Sequence, residues 1–169
     1  MMLENLNQLV KENAQDVIVN NSEIPNDKNE AAIQAASGSI FDALKQQMAA
    51  GNINQLVDTF KSGDVGNNQV VQQASSGFTD KLAGMGINLQ SAKAIASSII
   101  PGVFGKFIQK TNDPNDSSFN IKDILTNISG PDGKFQISDL TQMFSKDKGG
   151  DGGSQNDAGG MMDKLKGLF

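Results

Sequence analysis

Apolar residues recur at helical spacing through most of the first 110 positions of the chain. Between positions 31 and 50 they fall three, four and seven residues apart, and similar stripes occupy 53–60 and 89–100. A shorter stripe near the N-terminus places Leu3, Leu6, Leu9 and Val10 on one side of a helix. The pattern predicts an all-α fold, a small bundle of about six to eight helices whose stripes face one core.

Polar residues and glycines mark the ends of these predicted helices. In the polar loop that follows the first helix, Asn26 or Asp27 is predicted to cap the second. Gly51 and Gly63 are predicted to end the helices that precede them, because glycine adopts the left-handed conformation of a C-cap at little cost. Pro101 either kinks the helix that contains it or begins a new one.

Two stretches of the chain resemble each other. Residues 33–44 align with residues 71–82, which begin 38 positions later, and five positions are identical: Gln34/Gln72, Ala36/Ala74, Ser37/Ser75, Asp42/Asp80 and Leu44/Leu82. Another amphipathic helix follows each stretch, so the pattern indicates two related helical hairpins. One hairpin cannot bury its own apolar stripe, and we predict that the two copies pack on each other. Chance similarity between helices rich in Ala, Ser and Gln is the alternative.

A second, closer repeat follows. Residues 116–125 and 132–141 share the pattern Asp-x-x-Phe-x-Ile-x-Asp. Each copy is predicted to form a turn, a short extended Phe-x-Ile piece and a short capped helix.

The C-terminal part of the chain has a different composition. Residues 146–160 are rich in Gly and Asp and predict a flexible linker, which is followed by an amphipathic tail too short to form a stable helix alone. The tail's apolar side chains are candidates for contact with a partner, and a disordered tail is the alternative. These side chains are Met161, Met162, Leu165, Leu168 and Phe169.

The chain is therefore divided into five segments. They are an N-terminal helix and loop at 1–23, a helical domain at 24–110, the repeat region at 111–145, the linker at 146–160 and the tail at 161–169.

The residue types that the chain lacks narrow its chemistry. Its 169 residues include no His, Cys, Trp or Tyr, and all 14 basic residues are Lys. Nucleophile–base pairs that need His or Cys are therefore excluded, together with disulfides and the usual N/S metal sites. Phosphate-binding glycine motifs are missing as well. We predict that the protein is not an enzyme and needs no cofactor.

Charge and hydropathy bear on partners and location. The net charge of −5 argues against nucleic acid, and the polar face of the predicted helix at 89–100 offers a single cation, Lys93. No stretch is apolar and long enough to span a bilayer, and charges interrupt the N-terminal apolar stripe, so we predict a cytoplasmic protein. Weak membrane contact by the tail, through Leu168, Phe169 and two lysines, is a further alternative.

The Asp-rich repeat partly matches the pattern of calcium-binding loops. Asp132 and Asp139 fall at positions five and twelve of an EF-hand-type loop, but positions one and three of that copy carry no oxygen ligand in their side chains. The first copy, with Asp116 and Asp123, matches somewhat better and is still incomplete. These four carboxylates are weak candidates for a divalent cation, and helix capping is the preferred interpretation.

One motif carries a resemblance to a known family. The spacing Gly-Ile-Asn-x-x-x-Ala before Ile-Ile-Pro, together with the ending Leu-Lys-Gly-Leu-Phe, resembles the YidB-like family of bacterial proteins of unknown function. The resemblance covers about residues 24–110 and leaves the repeat region unassigned. It implies an all-helical, homeodomain-like fold in a bacterial cytoplasmic protein without an established activity.

These observations favour a non-catalytic helical module that contacts other proteins, including further copies of itself, through its tail. A DNA-associated regulator with a helix-turn-helix-like architecture is the alternative, and weak divalent-cation binding is a minor one.

Overall fold

The computed structural model describes residues 2–129, which form an all-α fold as the sequence predicts. Within this range there are six α-helices and no strands. A π-helical turn at Gln15–Val19 and 3-10 turns at Asn26–Lys28 and Ser117–Phe119 lie between them. The helices are α1 (Met2–Asn13), α2 (Asn29–Ala49), α3 (Ile53–Ser62), α4 (Gln69–Gly84), α5 (Leu89–Asn112) and α6 (Ile121–Ser129).

Helix α2 is the central element of the bundle. Eleven of its residues are buried, and they occur on several sides of the helix, so it touches α1, α3, α4, α5 and α6. The large side chains Ile33, Ile40 and Leu44 fill the core, while small residues between them leave room for neighbouring helices. The remaining helices bury one face each against α2 or against each other.

The two copies of the internal repeat pack directly on each other, as predicted. Helices α2 and α4 are in direct contact, and a Cβ built on Gly77 would lie 3.7 Å from Ser39 Oγ. Ser39 Oγ in turn donates to the carbonyl of Ala35 at 2.7 Å, so this buried hydroxyl is paired within its own helix. Lys81 Nζ lies 3.2 Å from Asp42 Oδ2 and links the two helices at the surface.

Replacing Gly77 with alanine is expected to raise the free energy of unfolding by about 0.5–1 kcal/mol, because alanine is the better helix former. The added methyl group would meet its neighbours at ordinary van der Waals distances. The matched control is Gly63→Ala, at a C-cap with φ +72°, which is expected to destabilise the protein. Urea unfolding followed by circular dichroism measures both, and a destabilised Gly77→Ala variant would contradict the packing described here.

Four phenylalanines join α3, α5 and the Ser117–Phe119 turn. The ring centroid of Phe107 lies 5.6 Å from that of Phe60 and 5.3 Å from that of Phe119, edge to face in both cases. Phe104 completes the cluster at 6.2 Å from Phe107, and all four rings are buried. The segment that follows α5 therefore belongs to the same compact unit as the helices before it.

The amphipathic helix α1 packs on α2 and α5. Its buried face carries Met2, Leu6, Leu9 and Val10, whereas Leu3 is 42% exposed. Asn5 Nδ2 donates to the carbonyl of Ser118 at 2.9 Å and ties the start of the described chain to its end.

The predicted cap of α2 is wrong. Asn26 and Asp27 lie inside a 3-10 turn, and Lys28 occupies the N-cap position without a side-chain hydrogen bond to the helix. The 3-10 turn at Asn26–Lys28 leads directly into α2 at Asn29. Because the backbone is already helical before α2 begins, α2 needs no separate side-chain cap. Lys28 Nζ instead donates to the carbonyl of Met85, just beyond the C-terminus of α4.

Two further local predictions are corrected. In the first copy of the Asp-x-x-Phe-x-Ile-x-Asp repeat, Phe119 ends a 3-10 turn and Ile121 begins α6, so only Asn120 between them is extended and the predicted extended Phe-x-Ile piece is wrong. The second copy, at 132–141, lies outside the described residues. Helix α5 runs unbroken through Pro101, so this residue begins no new helix. Burial of nine residues on both sides of the proline outweighs the one helical hydrogen bond that it removes.

Candidate functional site

A polar groove of about 360 Å³ lies where the ends of α2, α3 and α4 meet the 63–68 loop. Five side-chain amides, two hydroxyls and two carboxylates line it, with Leu56 and Val70 as its apolar members. No lysine is among these lining residues. The groove is thus rich in groups that both donate and accept hydrogen bonds, and its formal charge is negative.

The end of α3 and the start of α4 are held together by side chains of the groove. Gly63 ends α3 in the left-handed conformation, and Asn68 then caps α4 by accepting from Val70 N–H at 2.8 Å. The same Asn68 donates through Nδ2 to Thr59 Oγ1 at 2.8 Å. Asp64 Oδ1 accepts from Gly66 N–H at 3.0 Å, which fixes one carboxylate of the loop. These bonds set the positions of the polar groups.

Gln47 forms the inner wall of the groove. Gln47 is only 4% exposed, which is unusual for a glutamine at the end of a helix. The Gln47 amide donates to Gln73 Oε1 at 3.0 Å and accepts from Asn52 Nδ2 at 2.8 Å. Because a primary amide has two N–H groups and two carbonyl lone pairs, one of each is left over by these two bonds.

A second cavity, of about 380 Å³, lies between α1 and the C-terminal half of α5. Its charged members are Glu12, Lys106, Lys110 and Asp113. Lys106 Nζ donates to Asn13 Oδ1, and Lys110 Nζ lies 3.1 Å from Asp116 Oδ2. Since both lysines already have partners from the protein, this cavity is a weaker candidate than the polar groove.

The two candidate metal ligands that the structure describes, Asp116 and Asp123, each have a local structural role. Asp116 precedes the 3-10 turn, where it accepts from Ser118 N–H at 2.9 Å and pairs with Lys110. Asp123 lies in the first turn of α6, where a carboxylate is favoured by the helix dipole. Asp132 and Asp139 lie outside the described residues. Among residues 2–129 no three acidic, His or Cys side chains come together as a metal site.

The Asp116 contacts predict an acid-dependent contribution to stability. The hydrogen bond from Ser118 N–H and the bond from Lys110 hold the pKa of Asp116 below its usual value of 3.8. Because the folded pKa is the lower one, the stabilisation is present above pH 3.8 and is lost as the pH falls through the folded pKa. Carboxyl ¹³C NMR should give a midpoint below 3.8 that rises in the Lys110→Met variant, and a midpoint at or above 3.8 in the native chain would contradict these contacts.

The exposed face of α5 bears on the DNA-binding alternative. Its N-terminal half presents Gln90, Lys93, Ser97 and Ser98 at the surface, and Ser98 Oγ is bonded to its own helix at the carbonyl of Ala94. One cation on this face provides little phosphate neutralisation. The structure therefore adds nothing in favour of a major-groove contact.

The proposed contact residues of the tail, Met161 to Phe169, lie outside the described residues. Within residues 2–129, the large apolar side chains that are exposed are Leu3 on α1 and Leu89 on α5. Isolated exposed leucines of this kind are common on protein surfaces. None of the helices in this range combines the length and the hydropathy that crossing a membrane requires.

No sequence pattern predicts the polar groove. Its residues are spread over positions 47–70, and each one is an ordinary amide, hydroxyl or acid of a helix end or loop. The only signal is the density of Asn and Gln in this stretch, which turns and helix caps explain equally well. It takes the packing of α2 against α4 to bring Gln47 beside the 63–68 loop.

No family model, curated protein or solved structure matches this chain. The resemblance to the YidB-like family remains a prediction, and the functional argument depends on the residues themselves.

Proposed function

We propose that this protein is a non-catalytic helical interaction and self-assembly module. The observation that carries the proposal is how completely residues 2–129 bury their apolar side chains against each other, with Leu3 and Leu89 as the large exceptions. The apolar side chains of residues 161–169 lie beyond this unit in the sequence. The helical unit would then be a scaffold, and the tail its contact element.

The composition of the tail suits this role. Methionine and leucine side chains adapt to irregular apolar surfaces, and two methionines stand next to each other at Met161 and Met162. Two leucines on separate helices make no continuous apolar patch on the described surface. We therefore place the contact between tails of different copies, in the cytoplasm, with a protein of another kind as the alternative partner.

Light scattering after gel filtration tests the assembly. We expect the full chain to exceed its monomer mass of 17.9 kDa as the concentration rises, and a version ending at Lys148 to remain monomeric. A full-length variant with Leu165→Asp and Leu168→Asp keeps the chain length and should behave like the truncation. The matched control, Leu3→Asp with Leu89→Asp, changes two leucines of the helical unit and should still assemble.

Two outcomes would contradict the proposal. Assembly of the truncated chain would place the contact within residues 1–148, and a monomeric full chain at every concentration would exclude self-assembly. Retention of the protein on duplex DNA that weakens with salt would favour the DNA-associated alternative. Calcium affinity that is lost in Asp116→Ala and Asp132→Ala would favour cation binding.

A further inference from the structure

The lining of the polar groove suits a small ligand that carries hydroxyl groups and no negative charge. Side-chain amides and hydroxyls dominate its walls, and the amides carry both donors and acceptors for a ligand hydroxyl. Asp58 and Asp64 add carboxylates, which accept hydrogen bonds from adjacent hydroxyl groups. None of the lining residues is a lysine that could balance the charge of an anionic ligand, so the two carboxylates would repel an anion.

The polar groups of the groove are positioned before any ligand arrives. Gln47 is 96% buried, and its two hydrogen bonds fix the amide while leaving one N–H and one lone pair unused. Thr59 Oγ1 accepts from Asn68, and a hydroxyl that accepts one bond can still donate its proton to a ligand. Groups held in this way lose little conformational freedom when they bind a ligand, which favours affinity.

Size and shape agree with a sugar of one or two rings. The volume of about 360 Å³ falls at the lower end of small-molecule sites, which span roughly 300–1,000 Å³. Leu56 and Val70 are each only 2% exposed, so polar side chains rather than an apolar surface would hold the ligand. A dedicated metal site is disfavoured, since only two carboxylates line the groove and hard cations prefer more charged oxygen ligands.

We propose that the polar groove formed by α2, α3, the 63–68 loop and α4 binds a neutral mono- or disaccharide. Asp58 and Thr59 contact the sugar hydroxyls from α3, and Gln47 does so from the inner wall. All the lining residues of this site fall between positions 47 and 70, so the proposal is argued separately from the assembly.

Titrations of the ¹⁵N-labelled full chain, followed by NMR, test the site. The probes are glucose, N-acetylglucosamine and maltose, with glucose 6-phosphate, spermidine and calcium in separate titrations. We expect saturable shifts for at least one neutral sugar, with the largest changes at the amides of residues 55–70. Glucose 6-phosphate should bind more weakly than glucose because the groove carries carboxylates and no lysine.

Two nearly isosteric variants probe the groove. Asp58→Asn and Thr59→Val are each expected to weaken sugar binding about fivefold, which corresponds to one lost hydrogen bond. Ser98→Ala, on the exposed face of α5, is the matched control and should leave binding unchanged. Thermal unfolding of each variant shows whether the fold is kept, and Asp58→Asn, at an exposed position, serves if Thr59→Val does not fold.

Three results would overturn the proposal. They are the absence of saturable shifts with all three neutral sugars, shifts centred outside the groove, and equal affinity in the native chain and in Asp58→Asn. Binding of spermidine or calcium at these amides without any sugar binding would assign the groove to cations and likewise overturn it.

Discussion

Replacing Phe107 with alanine is expected to lower the free energy of unfolding by about 3–5 kcal/mol, as buried aromatic truncations do. The Phe107 ring is fully buried and lies against Phe60, Phe104 and Phe119, so its removal leaves a cavity that touches α3, α5 and the 3-10 turn. The edge-to-face contacts with Phe60 and Phe119 are lost at the same time. Urea unfolding followed by circular dichroism measures this change in the free energy of unfolding.

Phe41→Ala is the matched control for this substitution. Phe41 is a half-buried phenylalanine on α2, with Lys45 Nζ 5.9 Å from the centre of its ring. A partly solvated ring leaves no enclosed cavity, so the expected loss is about 1 kcal/mol. Equal losses for Phe41→Ala and Phe107→Ala would show that the four rings do not form a common core.

Leu6→Ala is expected to destabilise the protein by about 2–5 kcal/mol. Leu6 is fully buried where α1 packs on α2 and α5. An isolated helix of 12 residues is marginal in water, so α1 depends on this packing for its own structure. The variant should therefore lose protection of the α1 amides in hydrogen exchange in addition to its global stability.

The same helix supplies the control for Leu6. Leu3 lies one turn earlier and is 42% exposed, so Leu3→Ala removes the same atoms with an expected loss below about 1 kcal/mol. If Leu3→Ala and Leu6→Ala were equally destabilising, the orientation of α1 described here would be wrong. If neither changed the exchange of the α1 amides, α1 would not need its packing to stay helical.

The hydrophobic period predicts where most helices lie because it reflects burial directly. The stripes at 31–50 and 89–100 correspond to α2 and α5, and Gly63 ends α3 in the left-handed conformation as expected. The repeat predicts the pairing of α2 with α4, because each hairpin has an apolar face that it cannot bury alone. The predicted cap of α2 is wrong because Asn26 and Asp27 fit a 3-10 turn as well as a cap.

The candidate site could not be predicted in the same way. Gln47 and Thr59 are polar residues on amphipathic helices, and nothing in their local sequence shows that one becomes a buried wall and the other accepts from Asn68. Both properties arise from tertiary packing, which brings the end of α2 beside the loop after α3. The tail is the opposite case, because its apolar composition is evident from the sequence, whereas its contact with a partner stays a prediction.

The hydrogen bond between Asn5 and Ser118 has a consequence for biosynthesis. These residues lie 113 positions apart, so α1 leaves the ribosome long before the segment that it contacts. At roughly 5–20 residues per second, the interval is on the order of 5–20 s. During that time the apolar face of α1 lacks part of its final docking surface, whereas α4 and α5 are joined by only the short 85–88 connection. The docking of α1 is therefore expected to be completed only after α5 and the Ser117–Phe119 turn have left the ribosome.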